Sequence, residues 1–393
     1  MIEQTNLSGP ASTAKAHFPS GVLMHLSFIL AGLGTALLGP ILPLLAQQWH
    51  LPDARSGLLL TAQFCGAFLG GVTVSRRLTR SHALGLAAAA VGFLGFSVAP
   101  GLPIACMCLV IGGFGVGQII TAVNIIAGRR YTQHRASALA LLNFTWSLGA
   151  MLAPLLTAWL TPHFPLRHLL EAFAIGFFLV GILMLFENQR SSITAEVSVA
   201  NTIATSSNLP RQLFLTFCLL LVLYGGLETC LSGWLTTYAL RYGDRSLAIS
   251  EYTTLLLWAA ITGGRALSSV ILLRIGTRTV QRASLLLAAA LTAALGVAHS
   301  PVTIAACALS LGLALAPFFP ATFALLMNES PSARQAGIVL AVSGLGAAAL
   351  PWSMGVISTA SNSLHHALVV PFLAATALLL LTLVPVSAQR EQT

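Results

Sequence analysis

Charge is what this chain has least of. Only 7% of its 393 residues are charged, and ten of them are Asp or Glu. Soluble domains carry about 25% charged residues, so an ordinary water-facing surface is excluded. Cysteine is sparse too. The six cysteines (Cys65, Cys106, Cys108, Cys218, Cys230 and Cys307) lie in apolar stretches. They have neither a disulfide framework nor metal-ligand spacing, and they read as small buried apolar residues. No Gly-Lys-Ser/Thr phosphate loop is present, so direct ATP drive is not expected. No Ser–His–Asp set or carboxylate pair shares a loop, so the chain does not read as an enzyme. No cofactor is expected either. Basic residues do not alternate with aromatics as a nucleic-acid platform would require.

What is present is apolar. Hydrophobic residues make up 56% of the chain. They fall into twelve runs, at about 21–48, 56–75, 83–100, 102–128, 136–160, 167–186, 212–239, 252–273, 281–298, 302–327, 335–360 and 366–387. Each run can cross a hydrocarbon core about 30 Å thick as a helix. Strands of a membrane barrel would be about ten residues long and would alternate. The fold class expected is therefore an all-α membrane protein of twelve transmembrane helices, called spans 1 to 12 below. Residues 1–20 form a polar tail, and the first run has no small-residue cleavage site, so it reads as span 1 and not as a removed signal peptide.

Orientation follows from the nineteen Lys and Arg residues. With both termini cytoplasmic, fourteen fall on the inner side. Four (Arg55, Arg167, Arg241 and Arg245) fall outside, and Arg265 lies within a span. That asymmetry obeys the positive-inside rule. It accounts for the net charge of +9 through loops that face anionic lipid headgroups. The expected location is the cytoplasmic (inner) membrane, and a monomer is adequate.

An internal repeat divides the chain. Leu148-Gly149-Ala150 precedes Pro154 in span 5, and Leu345-Gly346-Ala347 precedes Pro351 in span 11, an offset of 197. Arg76 after span 2 and Arg274 after span 8 are 198 apart. Two pseudo-symmetric six-helix bundles, 21–186 and 211–387, are expected, with a cytoplasmic linker at 187–210 and a tail at 388–393. Parallel repeats of this kind are a transporter architecture. Pro40, Pro43, Pro154, Pro317, Pro320 and Pro351 are expected to permit kinks that suit rocking of the halves.

This layout resembles the major facilitator superfamily over about residues 20–387. The family's loop after span 2 usually reads Gly-x-Leu-Ala-Asp-Arg-x-Gly-Arg-Arg. Here Gly71 begins the stretch, Ser75 replaces the Asp and Leu78 the Gly, while Arg76 and Arg80 match. The second copy keeps Arg274, Gly276 and Arg278. Within the superfamily, Tyr224-Gly225-Gly226-Leu227-Glu228 followed by Trp234-Leu235 and Tyr238 resembles the seventh-helix signature of the fucose–glucose–galactose proton-symporter-like branch. Thr121 to Asn124 resembles its fourth-helix stretch, with Ile120 where the branch has a carboxylate. The branch's first-helix Asp has no counterpart in 21–48. The resemblance implies a secondary transporter for a sugar or similar small polar solute.

Glu228 is the carboxylate that stands inside a long apolar run; Glu171 and Glu251 stand at the starts of two others. An ionisable group at mid-membrane costs roughly 2.5–3.5 kcal/mol and tends to face a cavity. Glu228 is therefore the candidate proton-coupling group, although packing between helices through a hydrogen bond is the alternative. Substrate contacts are expected from Gln63, Asn124, Asn143, Trp146, Tyr224, Glu228, Trp234 and Tyr238, with Gln118 and Trp258 as further candidates. Amides and carboxylates bind hydroxyls, and aromatic faces suit sugar C–H surfaces. The alternative for each amide is a bond between helices. Arg265, about 13 Å along the helix from Arg274, can snorkel, bind an anionic substrate, or pair with Glu228. Arg76, Arg265 and Arg274 are the candidates for gating or charge relay. His25 is the histidine nearest a membrane interior. Gly225 and Gly226 serve either a bending gate or close packing. Two other functions remain open: efflux of amphipathic compounds, and a transport-inactive receptor or sensor, which would call for an added soluble domain or long tail.

Overall fold

The computed structural model describes residues 20–75, 77–131, 135–192, 209–243, 246–272, 274–329 and 331–383. These residues form sixteen helices, which pair up into twelve spans. Span 1 is α1 (Gly21–Ala36) with α2 (Leu38–Gln48), bent by 41° at the junction. Spans 2 to 6 are α3 (Asp53–Val72), α4 (Leu78–Ser97), α5 (Leu102–Arg130), α6 (Arg135–Leu160) and α7 (Leu166–Ser192). Spans 7 to 9 are α8 (Arg211–Tyr242), α9 (Leu247–Ile271) and α10 (Thr277–Leu295). Span 10 is α11 (Pro301–Leu315) with α12 (Phe318–Asn328), span 11 is α13 (Ala333–Ala341) with α14 (Ser343–Ser361), and span 12 is α15 (Leu364–Ala367) with α16 (Val369–Leu383). Seven spans are long and apolar enough by themselves to cross a membrane, or eight if the bent span 1 is included. Spans 2, 3, 8 and 9 fall below that measure and take their places through the fold.

Two of the expected kinks occur where a proline ring meets the carbonyl four residues earlier. For Pro40 that carbonyl belongs to Ala36, the last residue of α1. For Pro320 it belongs to Ala316, between α11 and α12. Pro43, Pro154 and Pro351 instead sit inside continuous helices α2, α6 and α14. Span 11 is divided at Val342, without a proline.

The repeated Gly149 and Gly346 have one job in the two halves. A Cβ on Gly149 would collide with the carbonyl of Ile29 in span 1, and a Cβ on Gly346 with the carbonyl of Val222 in span 7. Span 5 therefore lies backbone-to-backbone on span 1, and span 11 on span 7. Gly225 and Gly226 belong to the second contact, where side chains would meet Ser343 and Leu350. Their role is close packing, the small-residue geometry of membrane helix pairs. Large apolar side chains such as Met107, Trp159, Phe178 and Phe186 cover the outside. Exposed apolar surface on that scale marks a lipid-facing surface.

One end of the molecule is fastened across the halves. Asp53, the first residue of α3, takes both guanidinium nitrogens of Arg241 from the last turn of α8, at 2.7 and 2.5 Å. Ser358 of α14 donates to the same carboxylate at 2.5 Å, and the Ala54 N–H donates to Thr359 Oγ1 at 2.8 Å. Deeper in, Thr61 donates to the Ala348 carbonyl at 2.8 Å.

Candidate substrate cavity

Away from the fastened end, the two halves enclose a cavity of roughly 200 Å³. Spans 1, 2, 4 and 5 line it from one half, and spans 7, 8, 10 and 11 from the other. Its wall is largely apolar, with Phe28, Phe64, Ile120, Phe319 and Leu340 among its residues. Polar groups on it include Asn124, Asn143, Trp146, Glu228, Trp258 and Arg265.

Helical periodicity sets this cluster. Asn143 and Trp146, three residues apart on α6, share a face. Trp258 and Arg265 are two turns apart on α9 and point the same way. Arg265 does not snorkel to the surface. Its Nη2 meets Glu228 Oε1 at 3.0 Å, and the two side chains are 10% and 14% exposed. Its Nη1 donates to Ser147 Oγ at 2.6 Å, a bond that crosses between the halves. Its Cζ lies 5.5 Å from the Trp146 ring centre and 5.8 Å from that of Phe319, cation–π geometry on both sides. Trp146 and Trp258 meet edge to face at 5.7 Å. Among the described residues, the indole N–H groups of both tryptophans and the Arg265 Nε have no hydrogen-bond partner.

Of the eight expected substrate contacts, four are on the wall: Asn124, Asn143, Trp146 and Glu228. The amides of Asn124 and Asn143 each return an N–H to the carbonyl four residues back, at 2.9 Å. Tyr224 lies behind the wall beside Glu228; its hydroxyl donates to the Leu315 carbonyl at 3.2 Å, and its ring stacks on Phe318. With Tyr224, four placements are corrected. Gln63 turns away and donates to the carbonyls of Gly34 and Thr35. Trp234 is buried and donates to the Pro351 carbonyl at 3.0 Å. Tyr238 bonds the Leu295 carbonyl and His365 at the fastened end. In each case helix packing claims a polar group that a cavity would also have suited. Gln118 is likewise spent on Thr73 at 3.1 Å.

Of the gating candidates, Arg76 lies outside the described residues, and Arg274 is exposed at the end of span 8. His25 bonds Thr145 at 3.2 Å, between spans 1 and 5. Among the described residues the histidine truly enclosed is His82, fully buried and bonded to Ser27 at 2.8 Å, because span 3 begins at Leu78, earlier than its apolar run. Two acids at the edges of apolar runs also have placements that the runs do not reveal. Asp53 is the fastening carboxylate. Glu251 is inside α9, fully buried, and both its oxygens lack a partner among the described residues.

A sequence model of the Major Facilitator Superfamily matches residues 24–351. The chain belongs to that superfamily. As a superfamily member it is a multi-pass membrane transporter with a small-molecule substrate, and not an enzyme. It is 21% identical over 378 residues to the bypass of stop codon protein 6 of Saccharomyces cerevisiae, covering 84% of this chain and 75% of that one. It is 28% identical over 161 residues to the niacin transporter NiaP of Acinetobacter baylyi, covering 38% and 36% of the two chains. The fold matches a partially occluded inward-open structure of the xylose transporter XylE from E. coli with a TM-score of 0.75 at 14% identity, covering 91% and 95%. It also matches the superfamily transporter FucP in its outward conformation, with a TM-score of 0.62 at 17% identity, covering 92% and 97%.

Proposed function

We propose that this superfamily member carries a small polar solute through the central cavity by alternating access, coupled to protons through Glu228. The observation that carries this is the Glu228–Arg265 pair on the wall of a cavity shared by the two halves. A carboxylate whose access to water alternates can load a proton on one side and release it on the other. By the arginine count, the end fastened by Asp53 and Arg241 faces outward, so this conformation has its cavity toward the cytoplasm. Both termini and the linker at 187–210 then lie on the cytoplasmic side of the inner membrane.

The wall suits a solute with one polar end and an apolar body. Sugar, the class expected from sequence, keeps Asn124, Asn143, Trp146 and Glu228 but loses Gln63, Tyr224, Trp234 and Tyr238. The size favours a single ring, since an apolar cavity of about 150 Å³ holds benzene. Efflux of amphipathic compounds is the second reading, favoured by the apolar wall; the volume is small for drug-sized ligands, whose pockets run from about 300 Å³ upward. The test is uptake of labelled xylose and of small ring compounds into proteoliposomes, with and without a pH gradient. Accumulation that follows the gradient supports the reading. Dye extrusion without any uptake selects efflux.

A further inference from the structure

We infer that the solute is a small carboxylate with a flat apolar body, that it takes the Arg265 guanidinium from Glu228, and that it travels with one proton as an electroneutral pair. This rests on the reading of the cavity as the transport site and names what it carries.

The first argument is that Arg265 is under-used. Arg241 grips Asp53 with two parallel bonds. Arg265 offers Glu228 one bond, through Nη2, while the adjacent Nε has none. The Nε–Nη2 edge is a two-pronged fork matched to a carboxylate. A ligand carboxylate can engage both prongs where Glu228 engages one.

The second is a surplus of donors. Besides Nε, the indole N–H groups of Trp146 and Trp258 are buried and unpartnered. Buried donors left without acceptors are costly. A carboxylate brings acceptors only, whereas each sugar hydroxyl brings a donor along with its acceptor. The remaining wall, with Phe28, Phe64 and Phe319, is suited to an apolar ring.

The third is charge. Among the described residues, Glu228 and Arg265 are the charged ones on the wall, and together they are neutral. An arriving anion leaves one negative charge in excess unless a proton enters too. The titratable groups in contact with Glu228 are Arg265 from α9 and Tyr224 from its own helix. Once Arg265 is taken, no other cation among the described residues is in contact with Glu228. Glu228 then binds a proton from water, and the occupied site holds Arg265 cation, ligand anion and neutral Glu228. The pair crosses with no net charge. A neutral sugar travelling with a proton would move one positive charge.

The test uses the purified full chain in nanodiscs at weakly buffered, slightly alkaline pH, titrated with benzoate, benzamide and xylose. Tryptophan fluorescence reads binding, and a pH dye reads proton uptake. Benzoate is expected to bind with uptake of about one proton per chain, and benzamide to bind at least about tenfold more weakly. Arg265→Lys keeps the charge but not the fork, and is expected to lose about tenfold in benzoate affinity. Glu228→Gln is expected to bind benzoate with no proton uptake and without pH dependence. On a solid-supported membrane, benzoate transport should give no net current. Equal binding of benzamide, benzoate binding without proton uptake, or a net current with benzoate overturns the inference. Xylose binding with proton uptake in the absence of benzoate binding overturns it while leaving the proton-coupled reading in place. No binding of any probe together with no gradient-driven uptake removes both.

Discussion

Two arginine–carboxylate pairs divide the labour of this transporter. Asp53 and Arg241 are bidentate, come from opposite halves, and gain a further bond from Ser358. Glu228 and Arg265 belong to the same half, share one bond, and leave Nε unpartnered. The first pair has its capacity filled and fastens one end of the molecule. The second is unsaturated, faces a cavity, and can change partners. The same two functional groups thus give a clasp in one place and, on the proposed reading, a receptor in another, and the number of bonds each guanidinium still has to offer makes the difference.

The largest break in that contrast comes from Glu228→Gln. The amide mimics the protonated acid, so solute exchange down a gradient should persist. Gradient-driven accumulation should fall to the level of an equilibrated solute in proteoliposomes. Full accumulation by this variant would place coupling elsewhere. Breaking the clasp should do less. Arg241 is 41% exposed at its side chain, so water screens the pair, and such pairs contribute up to about 1 kcal/mol. Asp53→Asn or Arg241→Gln should therefore shift the inward-to-outward population by about fivefold or less. A cysteine placed at Thr359 and labelled from the Arg241 side should react faster to match. The double variant should be no worse than either single, because the two residues share one interaction. Unchanged labelling would mean that packing alone holds that end.

Tyr238→Phe separates structure from transport. It removes bonds to the Leu295 carbonyl and His365, at a cost of about 1 kcal/mol of stability. Uptake kinetics should stay within error, while a melting curve moves down. The smallest effect is expected from His25→Gln. His25 bonds Thr145 between spans 1 and 5, away from the wall, so the pH profile of uptake should not change. A shifted profile would make His25 part of the proton path.

Much of the scaffold was legible because a bilayer imposes long apolar runs. Span 1 begins and ends where its run does, at Gly21 and Gln48. Span 3 was read late because Arg80 and His82 dilute its first turn, although the helix begins at Leu78. Glu228 was legible because nothing around it is charged. Asp53 and Glu251 were not, since a carboxylate next to an apolar run looks like a loop residue until its helix proves longer than the run. Gln63, Trp234 and Tyr238 expose a different limit. Helical spacing gives the face a residue lies on, but whether its polar atom meets a cavity or a neighbouring backbone carbonyl depends on how the next helix approaches. Close approach in turn rests on small residues such as Gly346 in other spans.

Ser147 extends the consequence of the central pair beyond its own half. Its Oγ accepts from Arg265 across the boundary between the bundles, so the guanidinium that meets the solute also ties down the opposite half. A carboxylate seated on the Nε–Nη2 edge, as inferred above, draws the guanidinium off Glu228, and that movement pulls on the Nη1 bond to Ser147 as well. Recognition and unfastening then become one event, and an empty carrier has to give up a charged hydrogen bond before it can swing. Slippage, the futile return of an unloaded transporter, is discouraged by the same atoms that read the cargo.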